Sequence, residues 1–182
     1  EDGQLKLTRA PTDLAEVARE VLAGHTANAQ AKSIALSLAV VPPSALVTVD
    51  RARITQVLEN LVGNAIKFSP ASARVEVRLS MVAERMRVEV VDGGPGLTAE
   101  DLPKLFTRYG RLSAQPTGGE ISTGLGLAIC KQLIEAHGGQ IGAGNNPGGG
   151  ATFWFERATW SAERACRSCQ LGESPAPTKG IC

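Results

Sequence analysis

Residues 51–68 read RARITQVLENLVGNAIKF, and this stretch has the clearest periodicity in the 182-residue chain. Its apolar side chains recur every three or four positions: Ile54, Val57, Leu58, Leu61, Val62 and Ala65. Such spacing predicts an amphipathic helix whose apolar stripe packs against a core. Asp50 is suited to cap its start, and Pro70 stops it.

The same helix carries polar side chains on a different face. Asn60, Asn64 and Lys67 are four and three residues apart and therefore share one face, and Gln56 extends the row. Amide oxygens and an ammonium group suit a hydrated Mg²⁺ ion and a phosphate, because Mg²⁺ takes few protein ligands. A solvated helix surface has the same composition, so this helix alone leaves both interpretations open.

Strands and further helices are predicted on both sides of this stretch. Alternating apolar residues predict strands at 34–40, 46–49, 74–81, 86–91, 140–143 and 151–155, with 74–81 and 86–91 forming a hairpin. Helical spacing predicts a helix that begins after Thr12 or Asp13, a short one at 101–106 and another at 124–136, which Gly138 and Gly139 end. The length fits one domain with appendages.

A glycine-rich segment, Asp92-Gly93-Gly94-Pro95-Gly96-Leu97, follows the hairpin directly. A carboxylate at a strand end can accept a hydrogen bond from an exocyclic amine, and glycines beside it let a flat ring approach the backbone. A tight turn is the alternative. Residues 94–99 also fit the dinucleotide pattern G-x-G-x-x-A, but Pro95 removes a backbone donor and the flanking hairpin is not a βαβ unit.

A second glycine-rich segment, Ser122-Thr123-Gly124-Leu125-Gly126-Leu127, begins the predicted helix 124–136. Free backbone N–H groups at a helix start favour an anion, although a plain glycine-rich helix start would look the same. The segment is not a Walker A loop, since no G-K-[ST] follows. Residues 107–123, which precede the helix, have no periodicity and predict a long mobile loop of the kind that usually serves function.

Taken together and in this order, these segments resemble the catalytic ATP-binding domain of two-component sensor histidine kinases. The resemblance covers about residues 13–155 and rests on five motifs: an N box at 60–68, a D-x-G-x-G box at 92–96, an F box at 105–111, a second glycine box at 123–129 and a G-x-G-x-x-F strand at 148–153. It implies an α+β fold of Bergerat type, a two-layer sandwich whose mixed, mostly antiparallel sheet is covered on one face by helices. It also implies a mobile ATP lid at about 107–123.

The resemblance implies ATP and Mg²⁺ as ligands and assigns roles to individual residues. Asn64 would bind Mg²⁺, Asn60 would support it as a second ligand or bind phosphate, and Lys67 would meet a phosphate. Asp92 would accept a hydrogen bond from adenine N6, in a ring pocket that Gly94, Gly96 and Leu97 line.

The remaining roles fall on the expected lid, the second glycine box and the last strand. Arg108 or Arg111 would reach the γ-phosphate from the lid. Phosphates would be held at the second glycine box, whose assigned residues are Ser122, Thr123, Gly124, Leu125, Gly126 and Leu127. Thr152 would lie near Asp92 and support it. Ser122 stands where many members have glycine, which would stiffen the hinge of the lid without abolishing binding.

Asn60 bears on the reaction. In relatives that hydrolyse ATP, the position four residues before the Mg²⁺ asparagine is a glutamate that activates water, and an amide cannot act as a general base. The amide therefore favours phosphoryl transfer over hydrolysis, and the resemblance implies that the γ-phosphoryl group of Mg·ATP is donated to a histidine on a separate dimerisation domain. The alternatives are a non-catalytic nucleotide-binding interaction module, or an ATPase or serine kinase of the same superfamily.

The phosphoacceptor is expected outside this chain, because neither His25 nor His137 lies in the family's His-Glu/Asp helix pattern. The expected divisions are residues 1–12 as a linker from the dimerisation helices, 13–156 as the catalytic domain and 157–182 as a loosely ordered tail. Expected partners are the dimerisation domain of the same kinase and the receiver domain of a response regulator. The resemblance implies a cytoplasmic, monomeric fragment of a homodimeric parent kinase, with or without a membrane anchor.

Composition argues against other function classes. The net charge is +1 and aromatic residues make up 4%, which argues against binding nucleic acid. No apolar run approaches the roughly 18 residues that span a membrane, and no secretory leader is apparent. Cys130 lies in an apolar helical pattern, whereas Cys166 and Cys169 form one C-x-x-C without a second pair, which favours neither a metal nor a redox site.

Overall fold

A computed structural model describes residues 6–110, 113–117 and 124–158 of the chain. The helices are α1 (Leu14–Ala31), α2 (Arg51–Phe68) and α3 (Gly126–Ala136). The strands are β1 (Ala10–Asp13), β2 (Ala35–Val40), β3 (Leu46–Val49), β4 (Arg74–Val82), β5 (Arg85–Val91), β6 (Gln140–Asn145) and β7 (Ala151–Ala158). A 3₁₀ turn spans Leu102–Lys104.

Five of the strands form one mixed sheet in the order β2-β4-β5-β7-β6. β2 runs parallel to β4, and the other three pairings are antiparallel. β1 and β3 form a separate antiparallel pair. The three helices pack side by side on one face of the five-stranded sheet, and this two-layer arrangement confirms the predicted α+β fold.

The core lies between the helices and that face of the sheet. Alternate residues of β4, β5 and β7 are buried there, together with the apolar stripe of α2: Val75, Val77, Leu79, Met86, Val88, Val90, Phe153, Phe155, Ile54, Val57, Leu58, Leu61 and Val62. The opposite face of the sheet carries charged side chains such as Arg78, Arg87 and Glu89. Apolar residues recur every two positions in the strands and about every 3.6 positions in α2. Each element therefore presents one apolar face to the shared core.

The predicted start signals of α1 and α2 are confirmed. Asp13 accepts a hydrogen bond from the Ala15 N–H at 2.9 Å, and Asp50 accepts one from the Arg53 N–H at 3.2 Å. Each carboxylate thus satisfies a backbone donor that a helix start leaves without a partner. α2 spans the predicted residues at both ends.

Other elements differ from the predictions at their ends. Residues 10–13 form strand β1, although residues up to 12 were expected to be linker, because the backbone of β3 pairs with them. α3 begins at Gly126 and not at Gly124, since the φ angle of +69° at Gly124 lies outside the helical region. The expected helix at 101–106 is the short turn around Pro103, and β7 extends to Ala158.

Several predictions concern residues outside the described ranges. These are residues 1–5 of the expected linker, residues 111–112 and 118–123 of the expected lid, which include Arg111, Ser122 and Thr123, and residues 159–182 with Cys166 and Cys169. Within the described part of the chain, Cys130 is buried as expected, and burial raises the pKa of its thiol to about 12. No helix among the described residues has the length and apolar character needed to cross a membrane.

Candidate functional site

An open cleft of about 420 Å³, solvent at its mouth included, lies where α2, the loop after β5, the start of α3 and β7 meet. Its walls are formed by Asn64, Phe68, Asp92, Pro95, Gly96, Leu97, Ala114, Leu127, Ala151 and Phe153. The three segments that the sequence singled out separately therefore contribute to one cleft. That cleft has mainly apolar walls and a few convergent polar groups, as small-molecule sites commonly have.

The polar face of α2 forms one side of the site. Asn64 Nδ2 donates a hydrogen bond to Asn60 Oδ1 over 3.1 Å, which fixes the orientation of both amides and leaves Asn64 Oδ1 for a ligand. Asn60 lies against the start of α3, because a Cβ atom built on Gly126 would come within 2.7 Å of Asn60 Oδ1. A methyl group at position 126 would therefore displace the Asn60 carboxamide from this position.

Asp92 is the buried carboxylate of the cleft, with 8% of its surface exposed. Its Oδ1 accepts hydrogen bonds from the N–H groups of Gly94 at 2.8 Å and Ala151 at 3.0 Å. Among the described residues none donates to Oδ2, so this oxygen is left for a ligand with a donor group. Burial raises the pKa of Asp92, and the two backbone hydrogen bonds offset part of that effect.

The loop after β5 is held by side chains that the sequence analysis did not single out. Asn145 pairs with the backbone of Leu97 through two hydrogen bonds, of 2.7 Å from the Leu97 N–H and 2.8 Å to its carbonyl. Gly96 adopts a φ angle of +81° beside the Asn145 amide. Asn146 Nδ2 donates to the Asp92 carbonyl at 3.3 Å. The sequence signal that could have identified these residues is a pair of consecutive asparagines before Pro147 and a run of glycines.

The start of α3 lies next to Asn60, and the side chain of its N-cap residue does not cap it. Leu125 is the N-cap residue and makes no capping hydrogen bond through its side chain, so the first N–H groups of the helix keep their capacity to donate. Gly124 allows the chain to turn into the helix, with its carbonyl accepting from the Tyr109 N–H at 3.0 Å. This end of α3 has the chemistry of an anion site.

The structure does not bring every predicted residue to the cleft. The Thr152 hydroxyl donates to Asn146 Oδ1 and not to the Asp92 carboxylate, so Thr152 reaches Asp92 only through Asn146. Arg108 is exposed in the loop that follows the 3₁₀ turn. Lys67 lies in the last turn of α2, with its ammonium nitrogen 5.9 Å from the centre of the Phe68 ring.

Comparison with known proteins identifies the family. Residues 49–159, more than half of the chain, match the family described as histidine kinase-, DNA gyrase B-, and HSP90-like ATPase. The chain belongs to this ATPase family. Its relatives within the family include sensor histidine kinases, as the resemblance predicted: GacS of Pseudomonas syringae pv. syringae is 38% identical over 85% of the chain, and BaeS of Escherichia coli K12 is 31% identical over 86%.

Solved structures of histidine kinases share the fold. The nucleotide-free catalytic domain of ThkA superimposes with a TM-score of 0.72 at 30% identity, covering 85% of this chain and 97% of that one. Full-length ShkA in complex with AMPPNP gives a TM-score of 0.75 at 34% identity, covering 88% of this chain and 33% of that one. The chain covers 18% of GacS and 33% of BaeS, so it corresponds to one part of these longer relatives.

The donor set of the site fits the Mg²⁺ ion that the ATPase family implies. The described residues contain no cluster of three or more His, Cys, Asp or Glu side chains that could hold a metal by themselves. Mg²⁺ retains waters and commonly takes its other ligands from substrate phosphates, so a single amide oxygen suffices. Asn64 Oδ1 could provide it, whereas Asn60 Oδ1 already accepts a hydrogen bond and lies against α3.

Proposed function

We propose that this domain binds Mg·ATP in the cleft and donates the γ-phosphoryl group to a histidine on a separate dimerisation domain. Residues 13–156 would be the catalytic domain, joined through the preceding segment to that partner. The observation that carries the proposal is the convergence of Asn64, Asp92 and Leu127 on one cleft, although they come from three separate sequence motifs.

The purine would bind against the loop after β5. Asp92 Oδ2 accepts from the adenine amino group, while Oδ1 stays occupied by the N–H groups of Gly94 and Ala151. Gly96, Leu97 and Phe153 offer apolar surface and close backbone approach to a flat ring. A hydrogen bond between a donor and a buried carboxylate is among the stronger kinds, so it would select adenine over purines without that amino group.

The phosphates would bind between α2 and the start of α3. N–H groups at the α3 N-terminus and the positive end of its dipole favour the negative charge, and Lys67 and Arg108 would add cations. Asn64 would hold Mg²⁺, which when bound neutralises charge on the phosphates. The contribution of the protein is positioning and charge neutralisation, as expected for phosphoryl transfer.

Transfer is favoured over hydrolysis because the described residues that line the cleft include no carboxylate left to activate water. Asp92 is the carboxylate among the described residues that line the cleft, and it is assigned to the purine. Glu59 is exposed and lies next to Asn60 in sequence, about 100° away around the helix. Asn60 itself is an amide and cannot accept the proton of an attacking water.

A solved complex of a similar protein supports a proposal about the partners. ThkA has been solved in complex with the response regulator TrrA, and this chain is 29% identical to it over 85% of its own length. We therefore propose a receiver domain as the final phosphoryl acceptor. The parent protein would be a homodimeric kinase that presents this domain in the cytoplasm.

The test is to incubate the chain with labelled ATP, Mg²⁺ and a supplied dimerisation domain. The proposal expects label on that domain as an acid-labile phosphohistidine, and its loss in Asn64→Ala. Nucleotide binding without transfer would instead indicate an interaction module. Release of phosphate by the chain alone that is lost in Asn60→Ala would indicate an ATPase, and acid-stable label on serine would indicate a serine kinase.

A further inference from the structure

The segment 113–117 is fastened at its first residue to a buried carboxylate. Asp101, with 1% of its surface exposed, accepts from the Ser113 N–H at 2.7 Å and from the Ser113 hydroxyl at 2.6 Å. It also accepts from the N–H and the hydroxyl of Thr98, at 3.0 and 2.9 Å. Burial disfavours the charge, but these four hydrogen bonds outweigh it and hold the pKa of Asp101 well below its usual range.

The other end of the segment is fastened to the C-terminus of α2. The Thr117 N–H donates to the Lys67 carbonyl at 3.1 Å, and the Thr117 hydroxyl lies 2.8 Å from the Ser69 carbonyl and 3.0 Å from that of Lys67. Lys32, at the end of α1, donates to the Ile66 carbonyl at 2.8 Å and to the Thr117 hydroxyl. Thr117 thus helps satisfy carbonyls that the end of α2 leaves without partners.

Between these two fastenings, Ala114 lines the cleft. Each fastening is made to an element that already forms part of the site. Thr98 directly follows Leu97, which lines the purine side, and Lys67 lies on the helix that carries Asn64. The segment therefore connects the two walls of the cleft.

We propose that Asp101 and Thr117 are positioning residues for the nucleotide, which hold the segment 113–117 as an outer wall of the cleft. This inference rests on the proposed function, because it names what keeps that nucleotide site formed. Neither side chain lines the cleft itself, so each acts through the backbone it holds.

The requirement at position 101 is for a carboxylate. Two oxygens accept from four donors there, two on Thr98 and two on Ser113. An asparagine would offer one acceptor oxygen and would turn an NH₂ group toward existing donors. At position 117 the requirement is for a hydroxyl, which serine retains and valine lacks.

The test compares Mg·ATP affinity by calorimetry in Asp101→Asn, Ser113→Ala, Thr117→Val and Thr117→Ser. Loss of one fastening should weaken binding by about fivefold or more, the factor that one net hydrogen bond represents. Thr117→Ser should bind as the wild type does. Asp13→Asn and Thr55→Val make the same chemical changes at positions away from the cleft and should leave affinity unchanged.

A second readout uses backbone hydrogen exchange in the nucleotide-free protein. The amides of Ser113 and Thr117 should exchange more slowly than unbonded amides, and Asp101→Asn should abolish the protection at Ser113. Wild-type affinity in Asp101→Asn and Thr117→Val would overturn the inference, as would unprotected amides at 113 and 117. If the wild type binds no nucleotide while both amides are protected, the proposed function is wrong. The hydrogen bonds that hold the segment 113–117 would still be present.

Discussion

At the scale of single residues, the two oxygens of Asp92 have different surroundings. Oδ1 accepts from two backbone N–H groups, and asparagine could make both bonds with its own Oδ1. Asp92→Asn should therefore keep the fold while presenting an NH₂ group to the purine. We expect ATP affinity to fall by about 1.5–3 kcal/mol, roughly tenfold to a hundredfold, measured by calorimetry.

A matched control is Asp13→Asn, which changes the N-cap of α1 away from the cleft and should bind ATP normally. Thermal unfolding of both variants without nucleotide should resemble that of the wild type. Unchanged affinity in Asp92→Asn would remove Asp92 from the adenine role.

The role proposed for Asn64 predicts how strongly nucleotide binding depends on the metal. Its Oδ1 is the amide oxygen left for Mg²⁺, while its Nδ2 is bonded to Asn60. In Asn64→Ala we expect ATP affinity with and without Mg²⁺ to become similar, since the protein ligand is lost. The measurement is ATP titration in Mg²⁺ and in EDTA. A full Mg²⁺ effect in the variant would contradict the assignment.

His137 makes the stability of the fold depend on pH. It is buried at the end of α3, where Nδ1 donates to the Leu133 carbonyl at 2.6 Å and Nε2 accepts from the Asp50 N–H at 3.0 Å. These partners require the neutral ring. Burial lowers the pKa of His137, as do the charges of Arg9 and Arg157, against the opposing effects of the Leu133 carbonyl and Asp50.

Because the folded-state pKa lies below the usual 6.5, the unfolded chain takes up the proton first as pH falls. The stability that neutral His137 contributes is therefore present above pH 6.5 and is lost as pH falls below that value. Urea unfolding at pH 7.5 and 5.5 should show a smaller loss in His137→Gln than in the wild type. The control variant His25→Gln should lose as much stability between the two pH values as the wild type does. An equally large loss in His137→Gln would contradict the prediction.

At the scale of elements, α2 and α3 are in contact where the phosphates are proposed to bind. Gly126→Ala would push a methyl group into the Asn60 carboxamide. Because the Asn60 side chain can shift, the free energy of unfolding should fall by only about 1 kcal/mol, the low end of overpacking costs, whereas moving the carboxamide should weaken nucleotide binding. Gly24→Ala in α1 has open space around it and should not destabilise. An unaffected Gly126→Ala variant would show that the helices need no such approach.

Elements defined by local signals were predicted well from the sequence. Periodicity, the Asp50 cap and Pro70 located α2 at both ends, and the alternation of apolar residues in 74–81 and 86–91 located the β4–β5 hairpin. Elements defined by distant partners were not. β1 forms because β3 pairs with it. Asn145 holds the loop after β5 because it hydrogen-bonds to Leu97, which is distant from it in sequence. Such pairings leave no periodic trace in their own segments.

The whole molecule brings the motifs together through its topology. α2, the end of β5 and the start of α3 lie far apart in sequence, and the sheet order β2-β4-β5-β7-β6 with helices on one face makes them neighbours. The sequence indicated the participating residues through their resemblance to a family. It could not show that Thr152 bonds Asn146, or that Asp101 and Thr117 fasten the segment 113–117.

The central claim is that one cleft binds Mg·ATP, and a structure of the chain with a non-hydrolysable ATP analogue and Mg²⁺ tests it most directly. We expect the adenine amino group within hydrogen-bonding distance of Asp92 Oδ2, the metal on Asn64 Oδ1 and the phosphates at the start of α3. A nucleotide bound elsewhere, or an adenine that does not contact Asp92, would contradict the claim.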